Sequence, residues 1–225
     1  MVNIIHKINN IKKEKFMELK NIQGNYDAIF SLGNQCFVAN KLHQYNLRLY
    51  AGVIDWMISL SLQGVTKLLQ NRFESFMEKE NMIFSGYHDY GTKLLLKDTK
   101  YDIASAHDFL VTENTPENWS TYSNFKIKID RRIQRFLNKL NTCNNILFVR
   151  IGGTYEEAKL LELVLSKIVK GKFQVLLLNE IEEYKIMEYN WDLLHTCSIG
   201  IPMDGNQNQE LWDQILKGIT HSEIP

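Results

Sequence analysis

The chain predicts an α/β domain with a mixed or largely parallel sheet and helices on both faces, plus an inserted antiparallel hairpin. Three observations carry this. Strand-like and helix-like segments alternate after residue 145, the order expected of parallel crossovers. The runs Ile146-Leu147-Phe148-Val149 and Val175-Leu176-Leu177-Leu178 are apolar throughout, as in strands covered on both faces. The 225 residues, 44% hydrophobic and 23% charged, are enough for a full core without disulfide staples.

The elements follow in order. Residues 1–25 are polar, rich in Lys and Asn, and read as an N-terminal extension; 26–225 read as a single domain. Residues 26–32 form a strand, Gly33-Asn34-Gln35 a turn, and a helix runs from Cys36 to near Asn46. Residues 47–59 are dense in apolar and aromatic side chains, with Arg48 and Asp55 embedded. Apolar residues near helical spacing predict a helix over 63–76. Residues 92–96 and 101–106 pair as antiparallel strands across a Lys97-Asp98-Thr99-Lys100 turn, with His107 following the second strand. Residues 112–121 are a loop. A stripe of Phe125, Ile129, Ile133, Phe136, Leu137 and Leu140 makes 122–140 an amphipathic helix with a basic remainder. Then come a strand over 145–151, a helix over 154–169 and a strand over 173–178. A helix around 182–194, a short strand over 198–201 and a helix over 209–219 complete the chain.

Composition excludes some functions. The 26 basic and 26 acidic residues cancel, which argues against general nucleic-acid binding. Cysteines stand only at 36, 143 and 197, with no CxxC and no Cys/His ligand spacing, so no metal site is expected. So sparse a count suits a reducing compartment. No apolar run reaches signal-peptide or membrane-span length. A cytoplasmic location without a membrane span is the simplest expectation.

The residue that carries most chemistry is Cys36, in the first turn of its helix. There the positive end of the macrodipole and unpaired N–H groups favour a thiolate nucleophile. The plainer alternative is a buried cysteine acting as a small hydrophobe. His107 is the best base for it, against a histidine bonded to backbone at a strand end. His88 is the rival, with Gly86 and Gly91 pointing to a solvated loop. His43 shares the Cys36 helix, about 10 Å along its axis and too far for contact. Asp55, flanked by Ile54 and Trp56, needs a partner if buried. That partner is His107 or, by preference, Arg48. Asp108 is the other candidate to orient the imidazole, although a strand neighbour faces the opposite way. Asn34 and Gln35, with the Cys36 N–H, can form an oxyanion hole or simply a turn and cap. Gly152-Gly153-Thr154, with a Thr154/Glu157 capping box, can cradle an anion beside Arg150. It matches neither the P-loop nor the dinucleotide fingerprint.

Several of these residues recur together. Ser31-Leu32-Gly33-Asn34-Gln35-Cys36, Leu47-Arg48, Ile54-Asp55-Trp56 with Ser59, Ala106-His107-Asp108-Phe109, Arg131-Arg132-Ile133-Gln134-Arg135-Phe136 and Leu147-Phe148-Val149-Arg150 stand in this order. The pattern resembles a bacterial domain family of unknown function known as papain-like cysteine peptidases, over about residues 26–180. Members have Pro-Phe where this chain has Val53-Ile54. The resemblance implies Cys36 as nucleophile and His107 as base. It also implies a helix packed on an antiparallel sheet, whereas the alternation after residue 145 predicts a parallel one.

The expected function is a cysteine-dependent hydrolase (peptidase or amidase) or acyl transferase. It acts on a small-molecule or peptide substrate and needs no cofactor or metal. One alternative is a non-catalytic or sugar/nucleotide-binding domain in a polysaccharide or natural-product pathway, binding at Gly152–Thr154 with Arg150. Another is a sugar- or phosphate-handling transferase in which Cys36 is structural.

Overall fold

The computed structural model describes residues 16–203 and 208–222. Residues 1–15 of the expected extension lie outside them. The described chain opens with α1 (Leu19–Ile22), β1 (Gly24–Tyr26), β2 (Ala28–Ser31) and α2 (Cys36–Gln44). A connecting stretch leads to β3 (Met57–Ile58) and α3 (Leu62–Gln70). Next come β4 (Met82–His88), β5 (Lys93–Asp98), β6 (Ile103–Leu110) and α4 (Tyr122–Thr142). The last part holds β7 (Asn145–Ile151), α5 (Tyr155–Ile168), β8 (Lys172–Glu180), β9 (Met187–Glu188), β10 (Thr196–Ile201), α6 (Gln209–Leu216) and β11 (Ile219–His221).

The central sheet has the order β2-β7-β8-β10-β9. Its first four strands are parallel, and β9 closes the edge antiparallel to β10. The apolar strand runs serve both faces by alternation. Phe30, Phe148, Val175 and Leu177 point into a core with residues of α3, α4 and α5. Ile29, Leu147, Val149, Leu176 and Leu178 point into a second core with residues of α1, α2 and α6. Helices therefore cover both faces, as the sequence predicts. A second, antiparallel sheet of order β3-β6-β5-β4 enlarges the expected hairpin to four strands. Its Leu94, Leu96, Ile103 and Phe109 join the first core, so the two sheets share one packed interior. The pair β1–β11 is parallel and joins distant ends of the chain. Ile22 and Tyr26 of the first described segment are buried in the second core.

Local chemistry sets several boundaries. The Thr154/Glu157 capping box starts α5, and Ser61 accepts from the Gly64 N–H to start α3. That helix stops at Gln70, short of the expected 76. Phe73 and Phe76 are buried instead by a run of tight turns with positive φ at Arg72, Phe73, Ser75 and Met77. The buried Asp98 carboxylate holds this run by accepting from the Met77, Lys100 and Tyr101 N–H groups. No helix forms over 182–194. Met187 and Glu188 pair with Gly200 and Ile199, Asn190 takes a positive φ, and Tyr189 stacks on Trp191. Edge pairing and aromatic packing there outweigh a weak helical pattern. Among the described residues, no helix is long and apolar enough to cross a membrane.

Candidate active site

The site begins at the end of β2. Gly33 (φ 79°) and Asn34 (φ 85°) both take the left-handed conformation, which turns the chain sharply into α2. Cys36 is the first residue of that helix. Gln35 occupies the N-cap position in an extended conformation, and its side chain does not cap the helix. The N–H groups of the first turn are thus left for other acceptors. Cys36 is partly exposed, whereas Cys143 and Cys197 are buried.

A knot of polar contacts fixes this turn. The Ser59 hydroxyl accepts from the Asn34 N–H at 2.9 Å, and the Ser59 N–H returns a bond to the Asn34 carbonyl at 2.9 Å. Arg150, 0% exposed, donates to Ser59 Oγ and to the carbonyls of Leu32, Ser59, Leu60 and Gly152. Burial lowers its pKa to about 10, so it remains a cation at neutral pH. Gly33 has no room for a side chain, because an added Cβ would drive into Ser59 Oγ. Gly33→Ala is expected to cost about 1–3 kcal/mol through strain and this clash, read as a melting temperature lower by several degrees. An unchanged melt would show that the turn is not held as tightly as its contacts require.

The expected anion cradle is corrected by the same contacts. Arg150 is sealed in the interior with its donors committed to the chain. The Gly152 N–H donates to Leu178 O, the Gly153 N–H to Asn179 Oδ1, and Thr154 is spent on the α5 cap. Among the described contacts, the donors of these four residues are thus turned to the chain itself. The Asn34 side-chain amide also donates within the fold, to Ile151 O at 3.1 Å. That bond uses one of the two Asn34 Nδ2 hydrogens; the exposed Gln35 and the Cys36 N–H are the other proposed oxyanion donors.

His107 comes from the antiparallel sheet. It lies within β6 rather than after it, in a bulge. Leu94 pairs with Phe109 and Leu96 with Ser105, so Ala106, His107 and Asp108 stand opposite the single residue Leu95. Bulges of this kind re-aim side chains and are common beside active sites. Asp108 clamps the bulge: it accepts from Ser105 Oγ at 2.6 Å and from Lys128 of α4. The His107 ring meets Trp56 edge-on at 6.0 Å and His88 edge-on at 5.3 Å.

These pieces meet in one cavity of about 130 Å³, lined by Gln35, Cys36, Trp56, Met57, Ile58, His88, Ala106 and His107. Cys36 of α2 and His107 of β6 therefore line the same cavity, although α2 packs on the parallel sheet and β6 belongs to the antiparallel one. His88 joins them from the end of β4, not from a solvated loop. The glycine beside it signals a β-bulge at Gly86, which a loop reading of the sequence cannot distinguish from a turn. Burial holds the His107 pKa below the ordinary imidazole value, with Lys93 and His88 adding to the effect and Asp108 and Asp89 opposing it. The ring is thus neutral at pH 7 and able to accept a proton.

Asp55 has the partner that the sequence favours, Arg48. Asp55 is 0% exposed and accepts from Arg48 Nη1 at 2.8 Å and the Gly52 N–H at 2.7 Å. Arg48 in turn lies over the Trp56 ring at 5.2 Å. Asp55 is linked to the cavity wall through Arg48 and Trp56, and Asp108 holds the bulge that carries His107. Neither accepts a hydrogen bond from the imidazole among the described contacts. Among the described residues no cluster of His, Cys, Asp and Glu is arranged to hold a metal ion.

A model of the family described as "Putative papain-like cysteine peptidase (DUF1796)" matches residues 27–182. The segment it covers holds Cys36, His107, Ser59 and Arg150. An uncharacterized protein of Acanthamoeba polyphaga mimivirus is 26% identical over 147 residues. That stretch is 55% of this chain and 61% of the viral protein, so the similarity spans about three fifths of the relative. No solved structure matches the chain.

Proposed function

Because the chain belongs to the putative papain-like cysteine peptidase family, we propose that it is a cysteine-dependent hydrolase or acyl transferase working through Cys36 and His107. The observation that carries this is their presence, with His88, around one small cavity at the uncapped start of a helix. His107 takes the Cys36 proton as Sγ attacks a substrate carbonyl carbon. The oxyanion accepts from the Cys36 N–H and the Gln35 amide. The intermediate collapses to a thioester as His107 passes its proton to the leaving amine or alcohol. Water or another acyl acceptor then attacks the thioester, losing its proton to His107, and the thiol is regenerated. Hydrolysis and transfer differ only in that acceptor.

Iodoacetamide labelling at near-neutral pH, followed by peptide mass mapping, tests the nucleophile. Cys36 should be modified well ahead of Cys143 and Cys197. Both of these are buried, and burial pushes the Cys197 thiol up to about 12. Equal, slow modification of all three would remove the proposal.

A further inference from the structure

A second and larger cavity, of about 290 Å³, is lined by Asn34, Gln35, Phe37, Ile151, Glu180 and Met203. It lies at the carboxyl ends of the parallel strands: Ile151 ends β7, Glu180 ends β8 and Met203 follows β10. This crevice is where open α/β sheets bind ligands. Gln35 lines this cavity and also the one that holds Cys36. The two cavities thus adjoin at the Gln35 side chain, which is exposed. The larger space offers apolar walls at Phe37, Ile151 and Met203, and one charged group, the exposed Glu180 carboxylate. Among the described residues no Lys or Arg forms an ion pair with Glu180.

Building on the proposed function, we propose that this cavity is the specificity pocket of the Cys36 site and takes a substrate arm with an apolar stem ending in an amine. The apolar walls bury the stem, and Glu180 faces the ammonium group. An anionic arm would meet like charge there. A neutral arm would gain the stem contact alone.

The test uses the full chain and three chloroacetamides with a common four-carbon stem, ending in an amine, a methyl or a carboxylate. Second-order rates of Cys36 alkylation are compared. The amine probe should react about fivefold faster than the neutral one at low ionic strength, and the carboxylate probe slowest, as for a partly screened charge pair. Salt at about 0.5 M should compress the ranking. Glu180→Gln should bring the amine-to-neutral ratio close to one, and Glu180→Lys should invert it, each ratio being read within one variant. Equal rates for the three probes on the unaltered chain, or a ranking that survives Glu180→Gln, overturns the pocket assignment while leaving Cys36 as nucleophile. A Cys36 that resists all three probes overturns the proposed function together with this inference.

Discussion

A His107→Gln variant is expected to lose the low-pH limb of Cys36 reactivity, keeping only the rise that follows the ionisation of a free thiol near about 8.5, and to slow its alkylation near pH 6.5 by about 10²-fold or more, within the range that general-base catalysis contributes. In the proposed reaction the neutral imidazole is the proton acceptor. It is held below its ordinary value of about 6.5 by burial first, then by Lys93 and His88. On the unaltered chain the rate should rise with pH along a limb whose midpoint lies below that value. Above the midpoint His107 is neutral and accepts the thiol proton; below it the ring is already protonated and cannot. Removing the positive charge of Lys93, as in Lys93→Met, should move the midpoint upward, since Lys93 opposes the imidazolium. The glutamine variant keeps a polar side chain of similar size in the bulge, so its melting temperature should change little. A limb with its midpoint still below about 6.5 in His107→Gln would assign the base elsewhere, with His88, 5.3 Å from it ring to ring, as the next candidate.

The second large effect is on stability. Arg150→Met is expected to cost about 4 kcal/mol or more. Methionine fills much of the volume but supplies no donors. The carbonyls of Leu32, Ser59, Leu60 and Gly152, with Ser59 Oγ, all accept from Arg150, and unsatisfied buried acceptors cost about 1–3 kcal/mol each before relaxation. For a chain of this size the loss should lower the melting temperature by about 10 °C. Arg150→Lys should fall between the two. It keeps the charge, but an ammonium group cannot span acceptors spread over three chain segments as a planar guanidinium does. Because the same knot holds the Asn34 turn, Cys36 alkylation should slow in both variants. A Met variant melting within about 2 °C of the unaltered chain would show that water satisfies these acceptors.

The legible parts of this fold are those with a long, unbroken period. The apolar runs at 146–149 and 175–178 announce covered parallel strands. The stripe from Phe125 to Leu140 announces α4, and the box at Thr154 and Glu157 marks the start of α5. Cys36 at a strand-to-helix turn was legible for the same reason, since both flanking elements are regular. What could not be read is short or depends on distant partners. β3 and β9 have two residues each, and β11 has three, too few to show alternation. β1 meets β11 through a register of residues nearly a chain length apart. The bulge around His107 breaks the period of two, so its strand seemed to end early. Arg150 is the clearest case of context deciding meaning. After a strand and before Gly152-Gly153, an arginine reads as an anion ligand. Only the folded position of Ser59, which no local pattern predicts, turns it inward.

Cys36 is carried by α2 on the parallel layer and His107 by the antiparallel one, and Trp56 and Met57 line the cavity between them. In the proposed reaction the competence of the thiol is therefore a property of how the two layers dock, not of either alone. Small sliding of one layer against the other, too slight to melt either, would be enough to part acid from base and leave a folded but silent protein. On the proposed function, mutations that loosen the seam at a distance from the cavity should lower Cys36 reactivity without a matching loss of folded protein.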